Sequence, residues 1–417
     1  MIYQLNAFMQ PLCLKCKGRG FCGRSFCPIY AKSQAIFKVK KMLDKNDFSS
    51  LSPAPFVGHY GYPKVNVGIL SPAKLDEKAE LYDAPQYWAK HNFKIPKIVD
   101  LRSSLINSRF KIEVKKQNKF LDISKEVGMA SKPVDVEISV DEKPRFRLKV
   151  DSYNAPMGPN AKLKNAQITS NPKISHYVEK VVDDIDLKAK NAILYLHKKD
   201  FDENFLTKLL SVGTIGFKKN RKLVPTRWSI TATDDMIAKD LIAKIKDYKQ
   251  ADYLAFFGSY LGNYYLILLF PEPWCYELFE TYMPKTSWNI DENVNYTTDY
   301  EPYYGRKTYA ENCAGGYYAA RLSIAEKLEK MKRQSSVLAL RFITGEYAVP
   351  LGVWVVREAV RKTMKSRPIE FASKELMLKY AGLLIKKKFN YDVNNLLKNS
   401  ILLRNIKHQI KLNKFFN

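Results

Sequence analysis

Long apolar runs are missing from this 417-residue sequence, the longest being Tyr264 to Phe270. A bilayer span needs about 18 to 20 such residues, so the chain is expected to be soluble. A basic-then-apolar leader is also lacking, and cysteines begin at Cys13, where the apolar core of a leader would lie. The expectation is an intracellular, cytoplasmic protein. Histidine is scarce, and the five, at 59, 91, 176, 197 and 408, show no metal-ligand spacing. Neither a Gly-Lys-Ser/Thr phosphate loop nor a nucleophile elbow occurs, which disfavours P-loop ATP hydrolysis and serine-hydrolase chemistry. Internal repeats and long low-complexity stretches are absent too.

Negative charge is the other shortage: 42 Asp and Glu stand against 69 Lys and Arg, a net charge of +27. Such an excess calls for a polyanionic partner. Nucleic acid is favoured over an acidic membrane, because the cations sit among folded-domain patterns and no surface-seeking amphipathic helix or lipidation motif stands out. A lysine-rich, merely solvated surface is the bland alternative. What the chain does have is core: 46% of residues are hydrophobic and 13% aromatic, enough at this length for two or three domains.

Read along the chain, residues 1–48 form a cysteine-rich module running into a basic helix from Ile29 to Leu43. Residues 49–283 read as an α+β body. Strands are expected at Phe56–Gly58 and Val65–Val67 around the turn Tyr60-Gly61-Tyr62-Pro63, then at Phe110–Val114, Val134–Val140, Phe146–Val150, Ile193–Leu196, Tyr253–Phe257 and Tyr264–Phe270. Helices are expected at Phe201–Leu210 and at Asp234–Tyr248 with Thr233 as N-cap. Residues 284–310 read as a long ordered loop. The rest of 284–405 reads as a helical C-terminal domain, with helices at Tyr317–Arg333, Val337–Ile343, Gly352–Met364, Ser373–Phe389 and Val393–Arg404.

Cys13, Cys16, Cys22 and Cys27 are separated by two, five and four residues, with Gly18, Gly20 and Gly23 in the turns between them. Four thiolates converging on a tetrahedral ion need such tight backbone, and Lys15, Lys17, Arg19 and Arg24 offset their charge. A structural zinc is the leading reading. An iron–sulfur cluster and disulfides are the alternatives, the former weakened because the spacing matches neither common ferredoxin run.

Catalytic candidates are sparser. Glu113 and Lys115 lie two apart on a strand and so share a face, with Asp100 upstream and Asp135 and Glu137 in the same spacing on the next strand; any convergence among them would hold a second divalent metal, as in a nuclease. Alternating charge on a solvated strand explains the same pattern. Lys218, Lys219, Arg221 and Lys222 lead into Arg227 and Trp228, cations interleaved with an indole that can stack on an exposed base. Gly315-Gly316 opens a helix whose amides can meet an anion, with Arg321 one turn beyond Tyr317; Arg357 and Arg361 repeat the four-residue spacing. Those arginines read either as a phosphate-contacting surface or as interhelix packing.

The last residues place Gln409, Leu412, Phe415 and Phe416 in the Gln-x-x-aliphatic-x-x-aromatic-aromatic pattern by which repair and replication proteins engage the sliding clamp PCNA. One tight turn brings Leu412, Phe415 and Phe416 to one side as an apolar plug, while Gln409 reaches a separate pocket. The alternative is the end of an amphipathic helix buried in the protein's own core.

Five blocks carry a resemblance: FVGHYGYPKVNVG (56–68), ASKPVDVE (130–137), RKLVPTRWSIT (221–231), GGYYAARL (315–322) and PLGVWVVREAVR (350–361). Together they resemble the Nre family of archaeal DNA repair proteins over nearly the whole chain. His59 stands where the resemblance leads one to expect Arg. The resemblance implies an archaeal source, a role in the DNA damage response and association with the sliding clamp, and it supplies no reaction. The expectation is therefore a nucleoid-associated DNA repair protein, α+β with an N-terminal zinc knuckle and a PCNA-binding tail at 406–417. Whether it is an enzyme is open, a metal-dependent nuclease being the first alternative and an RNA-binding zinc protein the second.

Overall fold

Alternation of buried and open side chains builds the first sheet. In β5 (Val134–Val140), Val134, Val136, Ile138 and Val140 are buried while Asp135, Glu137 and Ser139 take the other face. The computed structural model describes residues 46–142 and 157–408, together with scattered positions among the first 39. Six strands pair in the order β1 (Asp47–Ser52), β5, β6 (Asn160–Ile168), β4 (Leu105–Glu113), β3 (Lys64–Pro72) and β2 (Ala54–Val57). Pairing is antiparallel except between β4 and β6. Val65, Val67, Ile69, Ile106, Ile112, Val136 and Ile138 form the core, joined by Leu121 and Val127 from the helix that follows β4. Each such side chain taken from water contributes roughly 1.5 to 3 kcal/mol.

Around this sheet stand α1 (Pro85–Lys90), α2 (Ile95–Ser104), α3 (Lys119–Met129), α4 (His176–Asp183), α5 (Ala189–His197) and α6 (Glu203–Ser211). Asn118 and Asp202 cap α3 and α6, each side chain accepting an amide hydrogen of the first turn at 2.8 Å. The strand expected at Ile193–Leu196 is instead the middle of α5, because four apolar residues are too few for their period to distinguish strand from helix. The expected strand Phe146–Val150 lies outside the described residues. Described positions between Ile29 and Val39 are helical, as expected, and Val39 joins the core.

The second sheet runs β10 (Asn295–Glu301), β9 (Cys275–Tyr282), β11 (Ser336–Ile343), β8 (Asn263–Phe270), β7 (Tyr253–Tyr260) and β12 (Ile369–Phe371). β11 lies parallel to β9 and antiparallel to β8, and all eight of its residues are buried. Helices α8 (Ala314–Met331) and α9 (Trp354–Lys365) lie on one face. On the other are α10 (Lys374–Phe389), α11 (Asn394–Leu397) and α12 (Ile401–His408). The helical C-terminal domain is thereby corrected: Val337–Ile343 is the central strand of a sheet covered on both faces, so it has no polar face to reveal a period of two. The expected loop 284–310 contains β10, and the expected helix Val393–Arg404 is broken at Ser400 into α11 and α12.

Two compact units result, one running to Ile237 and including Ala348–Gly352, the other made of Ala238–Tyr347 and residues from Val353 onward. The border falls inside α7 (Thr226–Ile245), not at 283/284, because strands on both sides of residue 284 belong to the second sheet. α7 begins at Thr226, so Thr233 is a buried interior residue of this helix and not its N-cap. No helix among the described residues is long and apolar enough to cross a membrane.

Candidate nucleic-acid interface

The turn between β2 and β3 and the entry to α7 meet through one hydroxyl. Thr226 Oγ1 accepts the Val57 amide hydrogen at 2.9 Å and lies 3.0 Å from Ser211 Oγ, which in turn donates to the Val224 carbonyl at 2.9 Å. Leu223 N–H donates to the Val114 carbonyl at 2.9 Å, tying the second segment to the end of the sheet. Gly61 takes a φ of +81° in the first turn, and a Cβ there would lie 2.9 Å from the Lys64 carbonyl oxygen. Glycine is required at that corner.

Both segments bring basic and aromatic side chains to the surface. Tyr62 and Trp228 rings touch with centroids 5.2 Å apart and planes tilted by 54°, while His59 and Tyr60 pack at 4.0 Å. Tyr60 is 71% exposed, Trp228 46% and Tyr62 42%. Lys222 Nζ reaches 3.5 Å from the Tyr62 hydroxyl, and Lys218, Lys219 and Arg227 are exposed nearby in sequence. Burial, and then the positive charge of Arg227, hold the His59 imidazole below its ordinary value of 6.5, so it is neutral at neutral pH. Arg221 differs from its neighbours: its Nε donates to the Gly216 carbonyl at 2.7 Å and its Nη2 to the Asp184 carbonyl at 3.0 Å, which makes it a brace for the loop. The expected cations Lys218, Lys219, Lys222 and Arg227 and the expected indole Trp228 are thus all at the surface. Sequence reasoning missed Tyr60 and Tyr62 as members, although three aromatic rings around a Gly-x-Pro turn were a signal.

The second expected basic group is corrected. Arg321 is only 2% exposed and ion-paired with Glu301, which also accepts from Tyr317 Oη and Trp274 Nε1. Arg357 is buried as well, and Arg361 is held by Glu326 and Glu358, at 2.7 Å each. The four-residue spacing does place these arginines on common helix faces, but the faces are turned inward. Nor does the Gly315-Gly316 helix start meet an anion from solution. A Cβ at Gly316 would fall on Glu280 Oε1, so the glycine permits close approach to a buried carboxylate that Arg341 neutralises.

The acidic candidates do not converge into a metal-binding group. Asp100 sits on α2, Glu113 ends β4 with Lys115 just beyond it, and Asp135 and Glu137 lie on β5, which β6 separates from β4. Glu137 accepts from Gln167 Nε2 at 2.5 Å. Among the described residues no group of three or more His, Cys, Asp or Glu could hold a metal ion. Of the four N-terminal cysteines, Cys16 is buried and Cys27 Sγ accepts the Tyr30 amide hydrogen at 3.4 Å; Cys13 and Cys22 lie outside the described residues. Gln409, Leu412, Phe415 and Phe416 lie outside them too, directly after α12.

Comparison with known proteins covers almost the whole chain. Residues 21–289 match the family described as archaeal Nre, N-terminal, and residues 301–415 match archaeal Nre, C-terminal. The division between the two matches falls inside the second sheet. The chain is similar to the DNA repair protein NreB of Archaeoglobus fulgidus, at 36% identity over 94% of this chain and 97% of the relative. It is 38% identical to the DNA repair protein NreA of the same organism over 87% of this chain and 90% of the relative. To the DNA repair protein NreA of Haloferax volcanii it is 35% identical over 75% of this chain and 77% of the relative. No solved structure matches it. Matches spanning both halves, and relatives above one third identity covering most of their own length, establish that the chain belongs to the archaeal Nre family.

Proposed function

We propose that this protein is a DNA repair factor that binds DNA through the basic, aromatic surface of residues 59–62 and 218–228, and that its C-terminal residues tether it to the PCNA sliding clamp. The carrying observation is the convergence of two segments about 160 residues apart, stapled by Thr226, on one face that exposes Lys222, Arg227, Tyr60, Tyr62 and Trp228. The names of three relatives as DNA repair proteins and the net charge of +27 support the same reading. One structural zinc on Cys13, Cys16, Cys22 and Cys27 completes it. The burial of Cys16 and the amide hydrogen bond to Cys27 Sγ suit metal-bound thiolates, whose charge needs such donors. The scattered positions of Asp100, Glu113, Asp135 and Glu137 lend the nuclease alternative no support.

The test is equilibrium binding to labelled duplex, flap, nicked and single-stranded DNA across a salt series, with and without manganese. Affinity should fall steeply with salt and vary little with sequence. Replacing Lys218, Lys219 and Lys222 together by Ala should flatten the slope of log affinity against log salt by about two to three, since each phosphate contact adds about 0.7 to 0.9. A flat salt response in the unaltered protein would refute the interface. Cleavage in manganese that disappears in Glu113→Gln would favour the nuclease, and tighter binding to RNA of equal length the RNA-binding alternative.

A further inference from the structure

Trp228 stands apart from the other four tryptophans. Trp88, Trp274 and Trp354 are buried, and Trp288 stacks on Tyr347 at 5.0 Å with its indole N–H on the Tyr347 carbonyl. A tryptophan left nearly half exposed, beside a tyrosine exposed to the same degree, is an apolar surface that the fold does not use for its own stability.

We infer that Trp228 and Tyr62, with exposed Tyr60 in the same turn as Tyr62, form a ledge that takes an unpaired base, so that the preferred ligand is DNA with single-stranded character or an extruded nucleotide, not intact duplex. The inference rests on the DNA-binding reading above and specifies its ligand. Three features carry it. The 54° tilt between the Tyr62 and Trp228 rings means that they are not stacked face to face, and each residue keeps more than two fifths of its surface exposed. The ledge is held in advance, since Val57 N–H donates to Thr226 Oγ1 and Gly61 and Pro63 frame the turn, so a base meets rings that need little ordering. Cations accompany the rings: Lys222 lies at the Tyr62 hydroxyl, and Arg227, exposed and next to Trp228 in the chain, is near enough to His59 to act on its charge, so phosphate partners are at hand for a stacked base. Neutral His59 adds a ring at the margin without adding charge. Aromatic faces interleaved with cations are what single-stranded nucleic acid requires, because its bases offer open faces whereas those of a duplex are already stacked on each other.

The experiment uses the full-length protein and three labelled ligands of one length: a mixed-sequence single strand, its full duplex, and the duplex with a central unpaired bubble. Trp228→Ala and Tyr62→Ala should each weaken binding to the single strand and the bubble about tenfold more than binding to the full duplex, the size expected for one lost base stack. Trp228→Phe should recover most of the affinity. Lys218→Ala/Lys219→Ala should weaken all three ligands alike. Urea denaturation of each variant separates lost contact from lost fold. Unchanged single-strand affinity in a folded Trp228→Ala protein, or equal losses on single strand and duplex, would overturn the inference while leaving the DNA-binding reading intact. If the unaltered protein bound none of the three DNAs, that reading would fail and this inference with it. The ledge would then be assigned to a protein partner.

Discussion

At His59 two causes act in the same direction. Burial removes water from the imidazolium, and Arg227 repels it, so the folded protein resists protonation at this ring. Unfolded, the ring takes a proton around its ordinary 6.5; folded, only at lower pH. Its contribution to stability is therefore complete above 6.5 and is lost as pH falls through the folded value. Following the His59 ring protons by NMR should give a midpoint below 6.5, and Arg227→Ala should move that midpoint upward without fully restoring it, because burial is the larger cause. An identical midpoint in the variant would show that Arg227 does not reach the ring. The residue scale also explains why counting arginines misleads: Arg321 and Arg341 are as cationic as Arg227, yet each is spent on a buried carboxylate, Glu301 and Glu280. Removing one partner of such a pair would strand a charge, which is why they persist in a core.

At the scale of elements, the end of the second unit depends on one strand residue. Glu277 projects from β9 on the face covered by α10 to α12, and its carboxylate accepts the amide hydrogens of Ile401 and Leu402 at 3.0 Å each as well as the Ser400 hydroxyl. It thus caps α12 from a distant part of the chain, satisfying two donors the helix leaves open and placing negative charge at its positive end. This cap, with Ser400 at the break, is why one expected helix became two. Glu277→Ala should expose the amides of Ile401–His408 to rapid hydrogen exchange and lower stability to urea by about 2 kcal/mol, with β9 and β11 still protected. Retained protection across α12 would mean that packing of Leu402 alone secures the helix.

For the whole molecule, the proposed functions occupy separate stretches of the chain: thiols within the first 27 residues, a basic aromatic surface in the first unit, and a clamp-binding pattern after α12. They should therefore fail separately. A chain ending at Lys407 should lose PCNA binding by calorimetry, and Phe415→Ala/Phe416→Ala should nearly lose it, while both keep one zinc per chain and the DNA affinity of the unaltered protein. Undiminished PCNA binding by the truncated chain would put the contact elsewhere, and elemental analysis finding iron or no zinc would reassign the cysteines.

Properties carried by local pattern were legible without coordinates. Alternation placed β5 at Val134–Val140, and the Tyr60–Pro63 turn between two β-branched runs foretold the β2–β3 hairpin. The exposed cations of 218–228 could be named because a run of charges has few buried solutions. Properties that depend on who covers whom were not legible. Val337–Ile343 has the same apolar text whether it is a helix in a bundle or a strand between two helical layers, and only its pairing with β8 and β9 decides. Asp135 and Glu137 share a face of β5 and Glu113 ends β4, yet β6 lies between the strands, so spacing within a strand could not say whether they meet. Arg321 and Arg357 have the right spacing for a surface, and the side that faces inward is set by carboxylates and packing partners far away in the chain. The aromatic ledge likewise exists only because Thr226 joins its hydroxyl to the Val57 amide, a contact between residues 169 positions apart that no local period encodes.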